Sequence, residues 1–276
     1  NGRAETPDVR PAPWQLSLET NMCTSHSKGL EIGIVVADAV RSPNLRTCAR
    51  AGCMPRNVRW QTPGVVFRGF PDEAFAFYEA LHADNTRTFW QASKATYQGS
   101  VRGPMDELLG ELDTYGPFHV FRPYNDVRFS KNKPPYKEHI GAYGESEGGA
   151  GFYLQLGADG LMAAAGYYAM ATDQLERFRH AVDAAATGAE IDEIVAALVR
   201  GGHEIGAISE LKTAPRGYPK DHPRIVLLRR KGLMASRRWP VSKWMHTKAV
   251  VTRVTGAWEA CDAMNTWLDL HVGPST

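Results

Sequence analysis

The chain has 276 residues, 43% of them hydrophobic and 22% charged, and its formal net charge is +2 at pH 7. This length and composition suit one large globular domain or two modest ones. The small net charge disfavours a protein dedicated to nucleic acids or membrane surfaces. The early apolar run at residues 32–37 is far shorter than the roughly 18 residues of a membrane-spanning helix, so no membrane partner is expected.

The cysteines and the known sequence motifs limit the possible classes of protein further. Four scattered cysteines do not form a disulfide framework in a chain of this size, which favours a reducing, cytoplasmic compartment. The sequence has no GxGxxG loop opening a helix, no Walker loop and no HExxH. Dinucleotide-binding, nucleoside-triphosphatase and zinc-protease classes therefore lack support, no metal site is predicted, and the cofactor is unknown.

The first predicted elements are helices. Residues 1–63 lack sustained apolar periodicity and are interpreted as an irregular N-terminal extension, followed by a domain at residues 64–276. Pro71 fits the first turn of a helix whose apolar residues recur at helical spacing. A second helical pattern follows the preferred capping pair Asp84-Asn85, and Gly103-Pro104 kinks or divides it.

The pattern then changes from helical to alternating. Phe152, Leu154 and Leu156 would point one way and the residues between them the other way, which predicts a strand. A turn at residues 157–160 makes it half of an antiparallel hairpin. Helices with predicted caps at Asp173 and Thr187 follow. Helices, strands and again helices, without regular β-α-β alternation, predict a single compact α+β domain with an antiparallel sheet covered by helices.

The densest chemistry lies in FRPYNDVRFSKNKPPYKEHIGA, residues 121–142, where prolines stiffen a loop carrying Arg, Lys, Tyr and Asp. Arg matches the two-point geometry of phosphate or carboxylate, and Lys adds a point charge, so the segment predicts an anion site. Strand-like alternation would place Tyr124, Asp126 and Arg128 in one row. The predicted ligand-binding residues here are Arg122, Tyr124, Asp126, Arg128, Lys131, Lys133, Tyr136 and Lys137.

Asp126 is the one candidate for a catalytic or orienting role, and no catalytic residue is assigned. An acid beside two arginines keeps a low pKa, so Asp126 suits orienting an arginine better than acting as a general base. The alternative is a solvated hairpin, in which the arginines form surface ion pairs with Asp126 and Glu138.

The helix start at residues 84–90 is a second candidate part of the same cleft. Asn85 and Arg87 would face the ligand, and Trp90 would stack on a planar group. The favoured interpretation is simpler: a capped helix with Phe89 and Trp90 in the core.

A third candidate is the segment 208–248, which holds eleven Lys or Arg against two acids, a net charge of +9. Its Lys212 and Arg216 are candidates for a second wall of the anion pocket. The alternatives are a rigid surface loop and the phosphate contacts of a nucleic-acid-binding module, with nearby aromatic residues for base stacking.

Four long motifs carry a resemblance to a known family. They are FRGFPDEAFAFYEALHADNTRTFW, the 121–142 segment, GFYLQLGADGLMAAAGYY with the following DQL, and LKTAPRGYPKDHPR. The chain resembles the bacterial and fungal domain of unknown function numbered 2461 from about Phe67 to the C-terminus. The resemblance implies a compact cytoplasmic α+β domain and gives no cofactor or catalytic residues.

The leading hypothesis is therefore a protein that binds a phosphate- or carboxylate-bearing small molecule in a basic, Tyr- and Pro-lined cleft, with enzymatic activity left open. One alternative is a nucleic-acid-binding module that uses the 208–248 segment. Another is a structural protein whose basic face binds an acidic partner. Oligomeric state is not predicted.

Overall fold

The computed structural model describes residues 66–126, 133–145 and 149–275. The predicted extension at residues 1–63 lies outside these ranges, and so do Arg128 and Lys131 of the predicted anion site. In the described part, the helices are α1 (Asp72–Ala83), α2 (Arg87–Thr96), α3 (Gly103–Glu111), α4 (Thr172–Asp183), α5 (Ala185–Arg200), α6 (Ile225–Leu228), α7 (Ala249–Glu259) and α8 (Asp262–His271). The strands are β1 (Phe118–Val120), β2 (His139–Glu145), β3 (Gly151–Gly157), β4 (Gly160–Tyr167), β5 (Glu204–Gly206) and β6 (Leu233–Trp239).

The predicted interruption at Gly103-Pro104 is a π-helical turn, Tyr97–Arg102, between α2 and α3. Pro104 has no N–H, and in an α-helix its ring would clash with the carbonyl group one turn earlier. The Gly103 N–H instead bonds the Gln98 oxygen, five residues back. Of the two predicted outcomes, the continuous helix is the one that forms, because α2, the π-helical turn and α3 follow one another without a gap.

The described strands form one antiparallel sheet in the order β1-β2-β3-β4-β6-β5. β3 and β4 make the predicted hairpin, in which Gly157 lies opposite Gly160 and Ala158-Asp159 forms the turn. The predicted α+β class, with an antiparallel sheet covered by helices, is confirmed.

The two faces of the sheet differ. Phe152, Leu154 and Leu156 belong to the main core, which also contains buried side chains from the helices. Tyr153 points the other way and packs in a smaller cluster with Met162, Ala164, Tyr168 and Met234. This second face and the segment before β2 position the candidate site.

Two predicted helix caps are wrong. α4 begins at Thr172, and the Gln174 side chain accepts the Ala171 N–H at 2.9 Å, so Asp173 lies inside the first turn. α5 begins at Ala185, before Thr187, whose hydroxyl donates to the Ala181 oxygen at the end of α4. In both cases the helix starts earlier than the cap spacing indicates.

Candidate anion-binding site

The two described ends of the 121–137 segment form a narrow ribbon. The Lys137 N–H donates to the Pro123 oxygen at 2.8 Å, and Tyr124 pairs with Tyr136 in an isolated antiparallel bridge. The pairing brings the two tyrosines and the prolines of the motif together. Residues 127–132, which connect these ends, lie outside the described ranges.

Two asparagine side chains hold the backbone at Tyr136. Asn85 Nδ2 donates to the Tyr136 oxygen at 3.0 Å, and Asn85 Oδ1 accepts the Tyr136 N–H at 3.1 Å. Asn125 Nδ2 donates to the same oxygen at 3.2 Å. The helix cap is Thr86, whose hydroxyl oxygen accepts the Phe89 N–H, so Asn85 ties the start of α2 to the ribbon instead of capping the helix.

Trp90 lies beneath this ribbon and is only 4% exposed. Its ring stacks on Tyr136 with centroids 4.5 Å apart and planes 9° apart, and Tyr97 packs against it at 4.9 Å. Tyr124 lies 5.8 Å from Trp90 and is 47% exposed. Trp90 therefore belongs to the core, and Tyr124 is the aromatic side chain that a ligand can reach.

Lys137 is the central feature of the site. Among the lysines and arginines of the described part, only Lys137 is buried, at 6% exposure. Its Nζ lies 5.1 Å from the centre of the Phe121 ring, a cation–π contact. No carboxylate in the described ranges forms an ion pair with it. Burial, together with the charges of Arg122 and Lys133, lowers the pKa of Lys137 to about 8.

His139 follows two residues later and adds a neutral imidazole. Burial and the Lys137 charge lower the pKa of His139 to about 4, so the ring is neutral at pH 7. His139 pairs with Gly157 across β2 and β3, and a Cβ at Gly157 would lie 3.4 Å from the His139 Cβ. The imidazole therefore stands on the second face of the sheet, beside a strand position without a side chain.

The floor of the site is the second face of the sheet. Phe121 lies 6.3 Å from Tyr153, ring centre to ring centre, and the Tyr153 hydroxyl donates to Gln155 Oε1 at 2.8 Å. A Cβ at Gly141 would approach the Tyr153 hydroxyl to 2.8 Å, so glycine is required there. Phe121, His139, Tyr153 and Gln155 were not predicted as site residues. The sequence contains a signal for two of them, because Tyr153 and Gln155 alternate with core residues of β3 and so lie on its other face.

The other predicted residues that the structure describes differ in exposure. Arg122 is exposed, whereas Asp126 and Lys133 are half-buried and each interacts with other groups. The predicted row of Tyr124, Asp126 and Arg128 includes a residue outside the described ranges. Arg87 is exposed in the first turn of α2.

The alternative, a solvated hairpin, predicts ion pairs of Arg122 and Arg128 with Asp126 and Glu138. Arg128 lies outside the described ranges, and within them no ion pair joins Arg122 to Glu138. Glu138 lies 3.2 Å from His82 Nδ1, on α1. This contact joins the ribbon to α1. The Glu138 carboxylate, although next to Lys137 in sequence, is therefore paired with His82 and not with the lysine.

The second basic segment is tied to the protein. Arg224 Nε donates to the Val182 oxygen at 2.6 Å, Arg229 Nε donates to the Leu211 oxygen, and Arg230 lies 3.2 Å from Glu210. Lys212 and Arg216 are exposed, and no hydrogen bond, ion pair or ring contact of the described residues joins either to the 121–137 ribbon.

Two other kinds of functional site, a serine-hydrolase motif and a metal centre, find no support in the described residues. GESEG at residues 144–148 matches GxSxG, but its first two residues end β2, and the next described element is the antiparallel β3, whereas a nucleophile elbow joins a strand to a helix. Within the described ranges, no group of three or more His, Cys, Asp or Glu is arranged to hold a metal ion. No helix there is long and apolar enough to cross a membrane.

The fold and the site define an α+β protein with a helix-covered antiparallel sheet and a buried lysine, Lys137, shortly before strand β2. Residues 73–267 match the family described as "Conserved hypothetical protein (DUF2461)", and the chain belongs to that family. Neither the comparison with curated proteins nor the comparison with solved structures gave a match.

Proposed function

We propose that the protein binds a small molecule carrying a phosphate or carboxylate group and that Lys137 holds this group. The supporting observation is a lysine at 6% exposure without a carboxylate partner among the described residues. With a pKa of about 8, its amine is mainly protonated at pH 7. A buried charge without a partner is unfavourable, so an anion is the complement that the site requires.

The surroundings of Lys137 favour the same class of ligand. Arg122 and Lys133 add positive charge and so raise the local attraction for an anion. The exposed Tyr124 ring and the exposed Pro134 and Pro135 offer apolar contacts for the rest of the molecule. The proposal concerns binding and assigns no reaction. A cytoplasmic location, which the cysteine usage favours, is part of it.

The test is isothermal titration of the full chain at pH 7 with inorganic phosphate, a sugar phosphate and a dicarboxylate. Lys137→Met removes the charge and keeps the length of the side chain. We expect at least a tenfold loss of affinity, because a charge-assisted hydrogen bond contributes about 1.5–3 kcal/mol. The matched control is Lys231→Met, at an exposed position, which should bind as the unmodified chain does.

Equal affinity of the Lys137→Met and unmodified chains would contradict the proposal. A response confined to oligonucleotides, weakened by salt and by Lys212→Glu with Arg216→Glu, would instead favour the nucleic-acid alternative. Arg229 and Arg230 are unsuitable for that test, because their side chains contact protein groups.

A further inference from the structure

A cleft of about 540 Å³ lies at the β5 edge of the sheet. Its walls are the C-terminal half of α5, the residues between α5 and β5, Arg237 of β6 and alanines at the α7–α8 junction. β5 and β1 are the two edge strands. Arg237 pairs with the core residue Ala163 and so lies on the helix-covered face, whereas Lys137 lies at the other face. The cleft is therefore separate from the Lys137 site.

One end of the cleft is positive. Arg237 is half-buried, with its guanidinium 5.7 Å from the Trp239 ring centre, and Arg200 ends α5 nearby. No carboxylate of the described residues forms an ion pair with either arginine. The last carbonyl groups of α5 accept the N–H groups of residues 201–203, so the helix end is already compensated and does not repel an anion strongly.

His203 supplies a buried acceptor at the same end. It is 5% exposed, its Nε2 lies 3.2 Å from the Ala257 oxygen, and its Nδ1 has no hydrogen-bond partner in the described part. Burial is the main cause that lowers the pKa of His203. The hydrogen bond to the Ala257 carbonyl group opposes it, the Arg237 charge adds to it, and the Leu198 carbonyl group opposes it least. The ring is thus neutral at pH 7, with Nε2–H donating to Ala257 and Nδ1 left as an acceptor.

The other end of the cleft is acidic. Glu193 precedes Arg200 by seven residues on α5, about 10 Å along the helix axis at 1.5 Å per residue. No described cation forms an ion pair with Glu193. Ile194 and Ala197 line the apolar wall between the two ends.

We propose that this cleft binds a free α-amino acid with a long cationic side chain. The carboxylate pairs with Arg237 and Arg200, the α-ammonium donates to His203 Nδ1, the aliphatic stem lies on Ile194 and Ala197, and the terminal cation pairs with Glu193. Each charged or unpartnered group of the cleft then has a complement, and the volume is in the usual range for small-molecule sites.

The test is titration of the full chain with L-lysine and three analogues that each lack one group. We expect millimolar affinity for lysine. Norleucine lacks the terminal ammonium and should bind two- to fivefold more weakly, as an exposed ion pair predicts. 6-Aminohexanoate lacks the α-ammonium and should also bind more weakly. Cadaverine lacks the carboxylate and should lose at least tenfold.

Neighbouring arginines on β6 give a matched pair of variants. Arg237→Met removes the charge and keeps the stem that packs on Trp239, and we expect at least a tenfold loss for lysine. Arg238→Met is the control, because Arg238 points to the other face of the sheet and is exposed. Glu193→Gln should abolish the preference for lysine over norleucine. Lys137→Met should leave lysine binding unchanged, which separates this site from the first.

Three results would overturn the proposal: no saturable binding of lysine, equal losses in Arg237→Met and Arg238→Met, or norleucine binding at least as tightly as lysine. If Arg237→Met lowers the melting temperature too far to be tested, Ala263→Trp replaces it. Ala263 is exposed, so the indole fills the cleft from the surface without disturbing the core, and lysine binding should disappear.

Discussion

The two basic segments of the chain are used in different ways. In residues 208–248, arginine side chains such as Arg224 donate to backbone carbonyl groups and hold neighbouring elements together. In residues 121–137, Lys137 is buried more fully than these arginines, yet no described carboxylate pairs with it. A high density of positive charge therefore does not by itself identify an anion site. What distinguishes the two segments is whether the protein supplies acceptors for the cations.

Arg224→Ala should have the largest effect and should act on stability alone. Arg224 donates to the Val182 oxygen at 2.6 Å and the Asp183 oxygen at 2.9 Å, and its Nη1 lies 3.8 Å from Asp192. Its removal leaves these carbonyl groups at the α4–α5 junction without a donor. We expect a loss of about 2–4 kcal/mol in the free energy of unfolding, measured with urea.

The control for this change is Arg216→Ala in the same segment, at an exposed position. It should alter the free energy of unfolding by less than about 0.5 kcal/mol. If the two variants are equally stable, the structural role assigned to the segment's half-buried arginines is wrong.

Lys137→Met should stabilise the free protein. Burial and the charges of Arg122 and Lys133 lower its pKa from 10.5 to about 8, which at 1.36 kcal/mol per unit corresponds to an unfavourable free energy of about 3 kcal/mol for the charged form. We expect a gain of roughly 2–3 kcal/mol with methionine, which packs without that penalty. Calorimetry at pH 7 measures the gain, and Lys231→Met should show none. A loss of stability would mean that the charge is balanced within the protein.

The affinity for phosphate should fall as pH rises above 8. Only protonated Lys137 attracts the anion, so affinity at pH 9 should be about tenfold lower than at pH 7, and binding near pH 8 should take up a proton. Titration in buffers of different ionisation enthalpy detects this proton. The same dependence in Lys137→Met would assign the effect to another group.

The free protein provides an independent check with the opposite sign. Between pH 8 and the ordinary lysine pKa of 10.5, Lys137 binds more protons when unfolded than when folded. Its contribution to stability therefore rises with pH across this window and is constant below it. The rise should be missing from Lys137→Met.

The smallest effect is expected for Lys212→Glu combined with Arg216→Glu. Both side chains are exposed, and no described contact joins them to the ribbon. Stability should change by less than about 0.5 kcal/mol, and phosphate affinity should stay the same. A large loss of phosphate affinity would show that the two segments form one pocket after all.

Much of the fold was predictable, because hydrophobic period is local information. The alternation at residues 152–156 and the helical spacing after Pro71 were enough to place β3 and α1. The starts of α4 and α5 were not predictable, and the caps expected at Asp173 and Thr187 are wrong. The residue at which a helix begins depends on contacts with neighbouring elements, such as the hydrogen bond from the Thr187 hydroxyl to the Ala181 oxygen of α4.

The candidate site was predictable in composition but not in arrangement. The 121–142 motif contains Lys137, Tyr124 and Tyr136, but nothing local to it indicates which cation is buried. Lys137 lies over Phe121, and Phe121 lies near Tyr153, which is distant in sequence and is brought to the ribbon by the pairing of β2 with β3. For the same reason, Trp90 stacks on a protein tyrosine instead of standing open to a ligand.

The lengths of the strands have a consequence for self-association. Among the strands that the structure describes, the two at the edges, β1 and β5, have three residues each, whereas the four between them have seven or eight. Short outer strands offer few free backbone groups in register to a strand from another molecule. The sheet thus ends at each side in a form that discourages growth into aggregates, although its interior strands are long and apolar.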